Sequence, residues 1–219
     1  DIMFLNTDRP GQVSQAKNLL GNIRGEPADP LYAKQWQFDL PATFRQPLNA
    51  PGRPAAHADY IRSHDGLVGR IAEEDEWRWR RRHNYYLNCL RDADRSMVTL
   101  LDELDALGLA SNTIVVFTAD HGDLDGAHRL HGKGATSYRE QNQVPLIVVH
   151  PAYAGGKRCK ALTTHLDIVP TLVNLSGADA ARKAALTRDL PGKDFSPLLA
   201  APEKAGADAV RSGALYAYN

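Results

Sequence analysis

Two short apolar runs, Thr113-Ile-Val-Val-Phe-Thr118 and Val144-Pro-Leu-Ile-Val-Val149, constrain the fold of this chain most strongly. Both are rich in β-branched residues and neither alternates with polar ones, which predicts strands buried on both faces. A helical pattern precedes the first. Tyr86, Leu90, Ala93, Met97, Leu100, Leu104 and Leu107 recur at alternating spacings of four and three. That is one apolar stripe on a helix over residues 75–108. Gly108 stands where a helix C-cap is expected, and Ser111-Asn112 turns the chain into the first strand. Another helix is expected over His165–Leu175, ended by Gly177. The order helix, strand, loop, strand, helix predicts an α/β domain, a layered mixed sheet flanked by helices.

Outside this core the chain divides into two further stretches. Residues 1–72 carry Pro10, Pro27, Pro30, Pro41, Pro47, Pro51 and Pro54 and read as an irregular, loop-rich segment near a functional site. Residues 73–177 form the core, and residues 178–219 an Ala-, Pro- and Gly-rich tail with a short strand expected near Ala214–Tyr218. Lys+Arg and Asp+Glu are both 26, so no whole-chain field recruits nucleic acid or anionic lipid. No apolar run approaches the roughly 20 residues of a membrane span. Cys89 and Cys159 have no C-x-x-C spacing and predict neither a zinc site nor a disulfide framework. Compartment and oligomeric state are open.

The chemistry is concentrated between the two runs, in Phe117-Thr-Ala-Asp-His-Gly-Asp-Leu-Asp-Gly-Ala-His-Arg-Leu-His-Gly-Lys-Gly134. Ligands in open α/β sheets bind beyond strand carboxyl ends, and Asp120 and His121 lie just past the first run. A carboxylate and an imidazole splayed by Gly122 can reach one cation; oxygen ligands suit calcium, magnesium or manganese, and imidazole tilts toward manganese. The same pair equally fits an Asp capping a turn and a His satisfied by backbone. Lys133, between Gly132 and Gly134, is a point charge where an anion can approach closely. His128 and His131 are candidates to donate a proton or hydrogen bond to a substrate oxygen, His128 first. Asp123 and Asp125 read as turn formers rather than ligands.

Taken together, Asp120-His121-Gly122, Gly126-Ala127-His128, Lys133, Tyr138 and Val144-Pro145 resemble the C-terminal half of the sulfatases, within the alkaline-phosphatase-like superfamily. The helix before the first run and Thr164–Gly177 are similar to that family too, so the resemblance covers residues 83–177 well. It implies an alkaline-phosphatase-like α/β fold, present here as a C-terminal portion. It also implies hydrolysis of sulfate monoesters, of small molecules or sulfated glycans, with one divalent cation, calcium first and magnesium or manganese as alternatives. Asp120 and His121 would be metal ligands; Lys133 and His128 catalytic and substrate-binding; His131 substrate-binding.

The chain also departs from that family. Tyr138-Arg139-Glu140 and Gln143 replace the usual Tyr-Glu-Glu and Arg. No Cys or Ser stands in a Cys/Ser-x-Pro-x-Arg motif, the source of the family's formylglycine nucleophile. The paired aspartates of the family's first strand are missing as well. Asp1-Ile-Met looks like the continuation of a mid-chain segment of the family. The expected partner is therefore an N-terminal half carrying the formylglycine, and the chain alone is expected to lack turnover. Two other readings are a phosphodiesterase, phosphatase or phosphonate monoester hydrolase of the same superfamily, and a non-catalytic fragment or binding protein.

Overall fold

A computed structural model describes residues 33–216, which form two compact units. One contains residues 109–118 and 146–216, the other residues 33–108 and 119–145.

In the first unit the two apolar runs form β1 (Val115–Thr118) and β2 (Leu146–Val149). They pair antiparallel, Val115 opposite Val149 and Thr118 opposite Leu146, the whole sheet among the described residues. Pro145 has no N–H to give a ladder, and β2 starts just after it. Burial alternates along β2, with Ile147 and Val149 more than half exposed. The expectation of burial on both faces is not met within these residues, because no further strand or helix covers that face. After β2 a single 3-10 turn, His165–Asp167, leads into α4 (Ile168–Leu175). Thr164 and Asp167 form a capping box at its start. Asp167 is fully buried and accepts hydrogen bonds from Thr164 N (2.8 Å), Lys193 N (2.7 Å) and Arg211 Nε (2.9 Å). Burial alone would raise its carboxyl; the Arg211 and backbone bonds hold it below the ordinary carboxylate value. Asp179 caps α5 (Ala180–Thr187) by accepting from Arg182 N at 2.8 Å. Of the strand expected near Ala214–Tyr218, residues 214–216 form none, and the rest lies outside the described residues.

The second unit contains α1 (Ala56–Val68), α2 (Glu76–Ala106) and the short α3 (Arg139–Asn142). Its core is Phe44, Ile71 and Trp79, joined by Leu40. Phe44 meets Trp79 edge to face at 5.2 Å, and the indole N–H donates to Ala72 O at 2.9 Å. Residues 33–55 are irregular, as expected for residues 1–72, but α1 corrects that reading at its end. Pro51 and Pro54 stand before the helix, where a missing N–H costs nothing, rather than inside it. Residues 1–32 lie outside the described residues.

Helix α2 matches its expected span and ends before Gly108, whose φ of 68° and N–H bond to Asp105 O (2.9 Å) turn the chain. Its buried face is another matter. Leu90, Leu100 and Leu107 of the expected stripe are 49%, 69% and 68% exposed, while Arg82, Asn84 and Asn88 are buried. The two amides, four residues apart on one face, hold an extended segment with no ladder of its own. Asn84 accepts from Trp36 N (2.8 Å), both amides donate to Lys34 O (2.9 Å each), and Trp36 Nε1 donates to Asn88 Oδ1 (3.2 Å). Among the described residues no helix is long and apolar enough to cross a membrane.

Trp79→Ala is expected to lower stability by about 3–5 kcal/mol, the usual loss for a buried aromatic. Leu100→Ala, on the exposed stripe, should change it by no more than about 0.5 kcal/mol. Urea unfolding of both variants checks the contrast.

Candidate functional site

The polar loop after β1 belongs to the second unit, and its shape is set by a buried cation. Arg82 of α2 is 5% exposed. It grips the Asp123 carboxylate with two hydrogen bonds of 3.2 Å and also pairs with Asp125. His83 Nδ1 lies 2.8 Å from the other Asp125 oxygen. Asp123 Oδ1 meanwhile accepts from the Asp125 (2.7 Å) and Gly132 (3.0 Å) backbone N–H groups, tying the loop's ends together. This anchorage holds three non-glycine residues at positive φ: Asp125 (37°), His128 (56°) and Arg129 (61°). Such backbone costs of order 1 kcal/mol each and persists only where surroundings enforce it. Leu124, Ala127 and Leu130 are buried beneath the loop. Both Asp123 and Asp125 are thus taken up in the loop's structure, as the sequence suggested.

One face of α1 fastens the loop from the other side. His57, Tyr60 and His64 recur at helical spacings of three and four. His57 Nε2 donates to His128 O (3.1 Å) and His64 Nε2 to His131 O (2.8 Å). The Tyr60 hydroxyl occupies the space a Cβ on Gly134 would need. Gln141 of α3, 4% exposed, accepts from Gly134 N and donates to Gly134 O, both at 2.9 Å. Its own carbonyl takes the Gly122 N–H at 2.7 Å. That approach is so close that a Cβ on Gly122 would overlap the Glu140 carbonyl.

Between these fastenings Asp120, His121 and Lys133 converge. Asp120 Oδ1 accepts from its neighbour's backbone N–H at 2.9 Å, while Oδ2 lies 3.3 Å from His121 Nε2. The first of these contacts is the main reason the Asp120 carboxyl is held below its ordinary value, so it stays ionised. His121 Nδ1 donates to Gly122 O at 2.8 Å, which turns Nε2 toward the side chains of Asp120 and Lys133. Lys133 Nζ meets that nitrogen. The Asp120 side chain is 84% exposed, so the cluster opens outward. Carboxylate oxygen and imidazole nitrogen fit two places in the shell of a divalent cation. No group of three or more His, Cys, Asp or Glu suited to a metal exists among the described residues, so these two would need ligands from elsewhere.

The two remaining candidates part company. The His128 ring stacks on Tyr138 at 3.6 Å, with Nε2 3.5 Å from Glu140 Oε2, beside a cavity that both rings line. His131, expected to bind substrate, is 2% exposed and packs between His64 (4.7 Å) and Trp79 (5.8 Å). The ring therefore lies in the core beside Trp79. Neither ring nitrogen makes a hydrogen bond of good geometry, and the Gly69 backbone only partly offsets the lost hydration. Sequence reading missed Arg82, His83, His57 and His64; the seven-residue spacing of the last two was the available signal.

Two expectations follow. Arg82→Met strands two carboxylates in the loop and should cost about 3–5 kcal/mol, read by urea unfolding. Burial first, then the Arg82 charge, holds His131 well below its ordinary value of 6.5; burial also lowers His57, His64 and His128. The unfolded chain therefore binds protons more readily, and stability falls as pH drops below about 6.5 toward 5. His83, raised mainly by its Asp125 hydrogen bond, opposes this, since its contribution is full below 6.5 and lost as pH rises. His131→Leu should flatten the acid limb in unfolding curves taken at pH 5 and 7; an unchanged slope would show that His131 does not carry it.

A family model described as Sulfatase matches residues 30–178. An endo-4-O-sulfatase of Bacteroides thetaiotaomicron is 32% identical over 136 residues, 62% of this chain and 25% of the relative. Arylsulfatase K of Xenopus laevis is 29% identical over 117 residues, 53% of this chain and 20% of the relative. The chain thus spans a quarter or less of these curated relatives' length. Among solved structures, a protein in complex with its substrate D-glucosamine-2-N,6-O-disulfate matches with a TM-score of 0.55 at 26% identity, over 70% of this chain and 30% of that one. A phosphonate monoester hydrolase from Silicibacter pomeroyi matches with a TM-score of 0.63 at 23% identity, over 84% and 35%, a likeness of fold alone. With the family model matching more than half of its residues and the Asp-His-Gly and Gly-Lys-Gly elements in place, the chain belongs to the sulfatase family.

Proposed function

We propose that this chain supplies the Asp120, His121 and Lys133 part of a sulfatase active site that hydrolyses sulfate monoesters. The observation that carries the reading is the convergence of Asp120 Oδ2, His121 Nε2 and Lys133 Nζ, with the other imidazole nitrogen engaged by Gly122 O. Relatives named endo-4-O-sulfatase and N-acetylglucosamine-6-O-sulfatase support a sulfated glycan or a smaller sulfate ester as substrate. Asp120 and His121 would hold a divalent cation, calcium before magnesium or manganese. That cation would polarise the sulfate oxygens, and a formylglycine carried outside these residues would supply the nucleophile.

Within this chain the roles divide by charge. Asp120 stays anionic and His121 presents Nε2, so both can face a cation. Lys133 carries the positive charge that a sulfate oxygen needs and would stabilise charge growing on the bridging oxygen as the ester bond breaks. His128 is the candidate to donate a hydrogen bond to the substrate. The bonds from Gly134 and Gln141 hold the loop so that Lys133 need not reorganise. His131 is not part of this reading.

In a protein that also carries the nucleophile, Lys133→Ala should lower kcat/KM for a sulfate ester about 10²–10³-fold. Chelation should abolish turnover and calcium restore it. The 219-residue chain alone should release no sulfate. Turnover by that chain would overturn the division of the site, and faster cleavage of a phosphate diester or phosphonate ester than of any sulfate ester would favour the phosphohydrolase reading.

A further inference from the structure

The cavity beside His128 shares that one residue with the chemistry described above, and its other walls take no part in it. Its volume is about 170 Å³, and its walls include Gln46, Gly52, Arg53, His128 and Tyr138. Arg53 is the unusual member. Its Nη2 donates to Gln46 Oε1 at 2.8 Å, but Nε and Nη1 are buried without a hydrogen-bond partner, and among the described residues no carboxylate pairs with it. Arg53 is only half-buried, but N–H groups shut off from water and left unbonded are costly, and an anion relieves them. The charges around it are otherwise matched: Arg129, close enough to affect Arg53, is paired with Glu73 at 2.8 Å, and the Glu140 carboxylate lies 3.5 Å from His128 Nε2, which leaves Arg53 as the cation without an anion among the described residues. Burial works against the Arg53 charge and holds its guanidinium below the ordinary value.

The walls are also preorganised. Arg53 N donates to Ala50 O and His57 N to Pro54 O, each at 3.0 Å, fixing the turn that leads into α1. His57 Nε2 is committed as a donor to His128 O, so its Nδ1 accepts the Tyr138 hydroxyl at 2.6 Å. That bond orients the phenol against the His128 ring. The cavity is tied to the cluster at Lys133 through Glu140, whose carboxylate faces His128 and whose backbone lies against Gly122. His128 and Lys133 are five positions apart, a span of at most about 18 Å, the reach of a short oligosaccharide.

We propose that this cavity is a second, non-cleaving anion subsite. Arg53, through its unbonded Nε and Nη1, receives a carboxylate or sulfate substituent of a glycan whose sulfate ester sits at Lys133, while the His128 and Tyr138 rings wall the cavity. The assignment rests on the sulfatase reading for the identity of the glycan, but the anion site itself does not. Its volume admits one oxyanion substituent rather than a whole sugar ring, so it selects for a charged group and is blind to the ring that bears it.

Amide spectra of the ¹⁵N-labelled chain test this, with methyl glucuronide, inorganic sulfate and methyl glucoside as probes. Saturable shifts at Gly52, Arg53 and Tyr138 are expected with the first two and not with the neutral glucoside; the tighter of the two anions identifies the group. Arg53→Gln should weaken them about tenfold, the loss of one charge-assisted contact, with the rest of the spectrum unchanged as the control for folding. Arg53→Lys should recover part of the affinity, and Lys133→Ala should leave these shifts intact. Equal response to glucoside, or no effect of Arg53→Gln, overturns the subsite. Shifts confined to residues 120–134 and lost in Lys133→Ala also overturn it while sparing the sulfatase reading. Shifts at residues 52, 53 and 138 with none at 120–134 would uphold the subsite and leave the sulfatase reading to its own test, since the cluster at Lys133 needs metal ligands from elsewhere.

Discussion

The buried charge on Arg82 is the constraint from which the site follows. A guanidinium taken out of water inside a helix face needs anions at fixed positions, and the loop supplies two, Asp123 and Asp125. Because Asp123 spends its remaining capacity on backbone N–H groups on both sides of the loop, satisfying Arg82 also closes the loop on itself. The left-handed residues at 125, 128 and 129 are then a consequence of closure. A side chain buried for electrostatic reasons thereby sets backbone geometry some forty residues further along the chain, at the place where the reactive groups are carried.

The second fastening differs in kind. Helix α1 offers imidazoles to loop carbonyls and one phenol against a glycine, and each contact meets a backbone group that has no partner in a helix or sheet. The imidazoles donate while neutral, which explains why burial can hold them uncharged without leaving them idle. Lys133 and His121 therefore sit on a loop with two independent supports, one ionic and one neutral, and the exposed carboxylate of Asp120 projects from a rigid base.

Much of this was legible from residue order. The β-branched runs gave both strands, the spacing of apolar residues gave the extent of α2, and the packing of Asp, His and Lys into one loop after a strand gave the convergence of Asp120, His121 and Lys133. The rest was hidden for physical reasons. An Arg among many on a long helix reads as solvated, and nothing local marks Arg82 as the one that turns inward. The apolar stripe of α2 gave the helix but not its buried face, because Asn84 and Asn88 are chosen there for hydrogen bonds to an irregular segment rather than for hydrophobicity. His131 shares its residue type and loop with His128, yet three residues at this curvature suffice to put one ring in the core and the other beside a cavity. The prolines around α1 were read as breakers when they are its approach.

The contact between Tyr60 and Gly134 has an evolutionary consequence. The hydroxyl fills the volume of the missing Cβ, so neither position can drift alone: an alanine at 134 requires a shorter residue at 60, and a shorter residue at 60 leaves a gap that a side chain at 134 can fill. The two should covary among relatives that keep this loop, as a size exchange across a helix and a strand-end turn. Because Gly134 follows Lys133 directly, that exchange becomes a record of how tightly each lineage has held its lysine in place.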